Sequence, residues 1–118
     1  MRAMLLLIVV GALVVTILGG CGGQSSQSQK PVETMQVEMP PSYRFEPAVI
    51  QVKAGATVTW TNRDNFTHNV HLLGSTDWHS DPLRPGQSTS HTFAQPGEYP
   101  YQCDFHSQNM KGKVIVVP

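Results

Sequence analysis

The fold class predicted for this chain is all-β, with two sheets packed as a sandwich of about seven to eight short strands. Three observations lead there. From Pro31 onward, short apolar or alternating stretches recur between Pro, Gly and Asn punctuation. No window carries an extended helical period. Val58 and Trp60 alternate with Thr57, Thr59 and Thr61, the period of a strand that buries one face.

The candidate strands, in order, are Thr34–Glu38, Val49–Val52, Thr57–Asn62, Asn69–Leu72, Ser88–Phe93, Glu98–Cys103 and Lys113–Val117. Turns at Ala54-Gly55, Pro85-Gly86 and Pro96-Gly97 punctuate them. Strands at this spacing pack as a sandwich. Tyr99 and Tyr101 lead by steps of two toward Cys103, which places the thiol at a strand end because the residues after it are polar and turn-like. Trp60 and Phe93 are predicted core. Residues Leu73–Pro85 hold two prolines and a glycine and read as a long connection with room for one helical turn. So short a domain buries a modest core, and a bound metal would stabilise the native state.

The N-terminal residues are of another kind. Ala3–Leu18 is almost wholly apolar, follows Arg2 and leads into Gly19-Gly20-Cys21, the layout of an export signal. Its length is close to the roughly 20 residues that span a bilayer, but Leu18-Gly19-Gly20-Cys21 resembles the lipobox of bacterial lipoproteins. The expectation is a signal peptide over residues 1–20, lipid attachment at Cys21, a tether over 21–31 and a folded domain over 32–118. The tether sequence GGQSSQSQK lacks apolar side chains and reaches on the order of 20 Å as a coil. The domain is thereby expected outside the cytoplasm, anchored to a membrane by lipid. Thiols there usually pair, but the glycine-rich tether around Cys21 and the polar surroundings of Cys103 assign the two cysteines separate roles.

Removing residues 1–20 takes Arg2 away and leaves seven Lys or Arg against eight Asp or Glu, with no basic stripe. Nucleic acid is not an expected partner.

The chemistry is concentrated in CDFHSQNM, which places Cys103, His106 and Met110 in one loop between the last two strands. Thiolate, imidazole and thioether together suit copper. The stretch WTNRDNFTHNV adds His68 where one strand gives way to the next. Two imidazoles and a thiolate with a weak axial thioether form the blue-copper arrangement, and glutamine also serves as axial ligand in such sites; Gln108 is therefore the alternative to Met110.

These residues fall within an ordered set: YRFEPAVIQVKAGATVTWTN, then HNV, then HTFAQPGEYPYQCDFH, then MKGKVIV. Over about Tyr43 to Val117 the chain resembles the cupredoxin family, specifically its plastocyanin-like and pseudoazurin-like small electron carriers. The resemblance implies a Greek-key β-sandwich and a single copper ion held by His68, Cys103, His106 and Met110. It also implies that Asn69 ties together the two ligand-bearing loops, and that electrons pass through the outer edge of His106. Three residues separate His106 from Met110, between the longer loop of plastocyanin-like proteins and the shorter one of amicyanin-like proteins.

The expected function is one-electron transfer between redox proteins, cytochromes or membrane oxidoreductases, by a monomer and not an enzyme. Phe66 and Phe105, beside ligands in loops, form the expected docking patch. The near-neutral charge predicts weak electrostatic steering. A copper storage or delivery protein is the rival reading. A multicopper oxidase or nitrite reductase would need a second cluster of paired histidines, and the two-copper centre of terminal oxidases would need two cysteines in the loop. His71, His79 and His91 read as surface residues, with a second metal site at His71 and His79 as the minor alternative. Met35 and Met39 read as core or edge packing, and Asp64, Asp104, Lys111 and Lys113 as a solvated rim.

Overall fold

The computed structural model describes residues 30–74 and 77–118; the predicted signal peptide, Cys21 and nearly all of the tether lie outside them. Eight strands follow in chain order: β1 (Val32–Glu33), β2 (Gln36–Met39), β3 (Val49–Lys53), β4 (Ala56–Asn62), β5 (His71–Leu72), β6 (Ser88–Phe93), β7 (Gly97–Gln102) and β8 (Lys111–Val117). One sheet has the order β1-β3-β8-β7-β5, the other β2-β4-β6. The all-β sandwich is the predicted one.

The first predicted strand differs. Thr34–Glu38 overlaps only β2, which begins at Gln36 and pairs in parallel with β4; an unpredicted strand, β1, precedes it and pairs in parallel with β3 in the other sheet. Between them the Gln36 N–H donates to Thr34 Oγ1 (3.2 Å), so the chain changes sheets within two residues. Among the described residues of 73–85 none is helical; a turn of 3-10 helix lies instead at Asp104–His106.

Period-two patterning explains the packing. Val58 and Trp60 of β4 are fully buried. The alternate threonines face outward and meet β6 through hydroxyl pairs: Thr57 with Thr92 (2.7 Å), Thr59 with Ser90 (2.9 Å) and Thr61 with Ser88 (2.8 Å). Such cross-strand pairs stabilise a sheet on its wet face. Inside, Val37, Met39, Trp60 and Phe93 from one sheet meet Ile50, Tyr101, Val114 and Val116 from the other. The Trp60 and Tyr101 rings pack edge to face with centres 5.5 Å apart, a favoured aromatic geometry.

At one end of the sandwich β4 and β7 finish and β5 and β8 begin, so the loops joining them share a rim. The anchor of that end is Tyr101, whose ring covers the face of Gly112 on the paired strand β8. A Cβ at residue 112 would run into the phenol ring. Gly112→Ala should therefore destabilise the domain by about 1–3 kcal/mol, the usual cost of overpacking, read as a lower urea midpoint; an unchanged midpoint would show that the ring can yield.

Candidate metal centre

Asn62, the last residue of β4, is wholly buried and fully employed. Its Nδ2 donates to the carbonyls of Phe66 (2.7 Å) and Leu83 (2.9 Å), and its Oδ1 accepts from the Asp64 N–H (2.9 Å). A buried amide satisfied in this way fixes the shape of the loop around it. His68 follows, pinned by reciprocal backbone bonds with Leu83 (3.1 and 2.7 Å).

The orientation of the His68 ring is set by Asp64. His68 Nε2 lies 2.8 Å from Asp64 Oδ2, with both side chains buried, which leaves Nδ1 facing Cys103 Sγ at 3.7 Å. Burial alone would push the Asp64 carboxyl up, but the bonds from His68 and the Asn65 N–H outweigh it and hold it below its ordinary value. The sequence reading had placed Asp64 on a solvated rim. It is buried because Asn62 draws the loop inward, a long-range effect that charge patterning does not contain.

The second loop is closed on itself. The Cys103 N–H donates to the Met110 carbonyl (3.0 Å), and the Met110 N–H to the His106 carbonyl (2.9 Å). Cys103 and Met110 are both fully buried, Cys103 as a free thiol, while Gln108 is exposed. Asn69 joins this loop to the first. Its Nδ2 donates to Asp104 Oδ2 (3.0 Å), its Oδ1 accepts from the Asp104 N–H (2.7 Å), and its own N–H points at Cys103 Sγ (3.5 Å). Asp104, also read as rim, is a hub. Burial raises its carboxyl, but bonds from Asn69, His71 and Gln102 prevail and bring it to about 2.

His106 is partly exposed. Its ring lies 5.3 Å from that of His68 and 4.2 Å from that of Tyr43, centre to centre. Tyr43 also packs on Phe66 at 5.6 Å. Phe66 and Phe105 are 54% and 52% exposed and Tyr43 38%, leaving an apolar rim beside His106. Tyr43 was not foreseen as part of this region. It arrives there through two consecutive residues in the left-handed region, Ser42 (φ 89°) and Tyr43 (φ 53°), a conformation costly for side chains other than glycine and without a sequence signal.

The structure thus gathers Cys103, His68 and Met110 in the interior at one end, with His106 above them. No three His, Cys, Asp or Glu side chains stand ready-made around a metal position among the described residues. The donor chemistry nevertheless fits copper: a buried free thiol, an imidazole with its second nitrogen held by a carboxylate, a second imidazole and a buried thioether.

Comparison with known proteins agrees with the fold. The family model described as cupredoxin-like domain matches residues 8–116. Amicyanin-alpha of Methylorubrum extorquens is 32% identical over 120 residues, covering 98% of this chain and 99% of the relative. Chloroplastic plastocyanin of Tetradesmus obliquus is 41% identical over 83 residues, covering 61% of this chain and 57% of the relative. A purple cupredoxin from Nitrosopumilus maritimus superimposes with a TM-score of 0.64 at 30% identity, covering 70% of this chain and 98% of that one. On its fold, its ordered motifs and this full-length likeness, the chain belongs to the cupredoxin family.

Proposed function

We propose that this chain is a one-electron carrier that binds a single copper ion through His68, Cys103, His106 and Met110. The observation that carries the reading is the fully buried Cys103 thiol facing His68 Nδ1 at 3.7 Å beneath a partly exposed His106. Copper supplies the reversible one-electron couple. The protein supplies the rest. Reciprocal loop bonds hold the donors in place, the Asp64 carboxylate orients His68, and burial keeps solvent from the thiol. Met110, buried where Gln108 is exposed, would be the fourth donor in preference to Gln108.

Electrons enter and leave at His106, and Tyr43, Phe66 and Phe105 form the apolar surface on which a redox partner, a cytochrome or membrane oxidoreductase, docks transiently. Apolar contact with little net charge suits brief encounters that salt barely affects. The domain is held outside the cytoplasm by a lipid on Cys21 after removal of residues 1–20, with the following residues as a tether; the lipobox-like ending and the Gly, Ser and Gln composition support this.

Loading the protein with Cu(II) tests the redox reading against copper storage. An intense thiolate-to-copper band in the visible spectrum that bleaches on mild reduction and returns on oxidation is expected, and Cys103→Ser should abolish it. A pale spectrum would turn the assignment toward storage. Asp64→Asn should keep the band while weakening copper binding by about 10–100-fold, the usual effect of losing an outer partner of a metal-bound histidine; equilibrium competition with a chelator measures it. Phe105→Ala should slow reduction by the partner protein in stopped flow with the copper spectrum unchanged, and an unaltered rate would remove Phe105 from the docking surface.

A further inference from the structure

Beside the copper loops, β5 pairs with β7 on one side, and the chain after it folds back along the other. The Leu72 N–H donates to the Trp78 carbonyl (2.9 Å) and the Ser80 N–H to the Val70 carbonyl (2.8 Å). His71 and His79 therefore face each other across an antiparallel bridge as its non-hydrogen-bonded pair. In such a pair the backbones approach most closely and the two side chains leave from the same face. The rings stand 5.9 Å apart, centre to centre, little more than the 5.3 Å between the rings of His68 and His106.

Each ring has its Nδ1 engaged. His71 Nδ1 lies 2.8 Å from Asp104 Oδ1, and His79 Nδ1 lies 3.4 Å from the Ser80 carbonyl. In a neutral ring, both acceptors place the proton on Nδ1 and leave Nε2 with a lone pair. A carboxylate behind the far nitrogen is the usual support of a metal-bound histidine. The Asp77 carboxylate, almost wholly exposed, lies 3.9 Å from His71 Nε2. Packing alone would account for two rings in contact, but it does not require that neither Nε2 has a hydrogen-bond partner among the described residues, with an anion beside one of them.

We propose that His71 and His79 form a second, surface metal site, separate from the copper ligands, that takes a borderline divalent cation through the two Nε2 atoms. Asp77 and water complete the coordination, since no group of three such donors is preassembled among the described residues. The donor chemistry selects the class of ion. Two imidazoles and a carboxylate without a thiol favour zinc or copper(II) over Cu(I), which prefers sulfur, and over calcium or magnesium, which prefer an oxygen shell.

The test uses the full chain loaded with one equivalent of Cu(II), so that the Cys103 site is filled before zinc is added. Equilibrium dialysis should then find one bound zinc per chain, with the visible band unchanged. His79→Gln, at an exposed position, should weaken zinc binding by at least the about 10–100-fold that loss of an outer-shell partner alone costs, again without altering the band. Absence of bound zinc in the wild type, or equal zinc affinity in wild type and His79→Gln, would overturn the proposal. The two readings fail separately: a chain without a thiolate-to-copper band whose zinc binding is still lost in His79→Gln would refute the copper carrier and retain this site.

Discussion

The arrangement at the metal end depends on one reciprocal contact, the clasp between Asn69 and Asp104. Two hydrogen bonds join residues 35 positions apart in the chain, and the Asn69 amide is also aimed at the Cys103 sulfur. Bringing distant loops together costs conformational entropy, and short polar loops have little apolar surface to offset it. The clasp offsets that cost with one neutral bond and one charge-assisted bond to the Asp104 carboxylate, the stronger kind. Asp104 remains ionised because Asn69, His71 and Gln102 all donate to it. The same carboxylate thus serves the clasp and the histidine pair beside it.

The rim divides into an inner and an outer layer. Cys103, His68, Met110 and Asp64 are buried, and each is held by backbone or side-chain bonds. Tyr43, Phe66, Phe105 and part of His106 face solvent. A one-electron site benefits from this division. In the proposed carrier, packed donors would move little between oxidation states, while an exposed imidazole edge with apolar neighbours would offer a short path and a surface that a partner can leave quickly. Tyr43 joins the layers by packing at a tilt against His106, and the strained backbone at Ser42 and Tyr43 is the local cost of that position.

Much of this was legible beforehand. Alternation in β4, β6 and β7 located those strands within a residue or two, because a half-buried strand needs period two. Trp60 and Phe93 as core residues were read from the same strands. The strand β1 before the first predicted one was not legible, because two residues carry no period of their own. Asp64 and Asp104 were read as rim because a carboxylate in a polar loop is usually solvated; only the three-dimensional positions of Asn62 and Asn69 show that these two have partners. His79 was legible as a surface residue and as a partner of His71 only in the minor alternative, since the fold-back that joins them depends on two backbone bonds across a connection without periodicity.

By itself the sequence determined the β-sandwich and nominated the proposed donors, because both rest on local facts: residue period, and which side chain types can bind copper. The tertiary structure alone decided which nitrogen of His68 faces the thiol, which aromatic ring covers His106 and which histidines stand together. Those are matters of contact between segments far apart in the chain, where direction and distance are fixed by packing and hydrogen bonding rather than by spacing along the backbone.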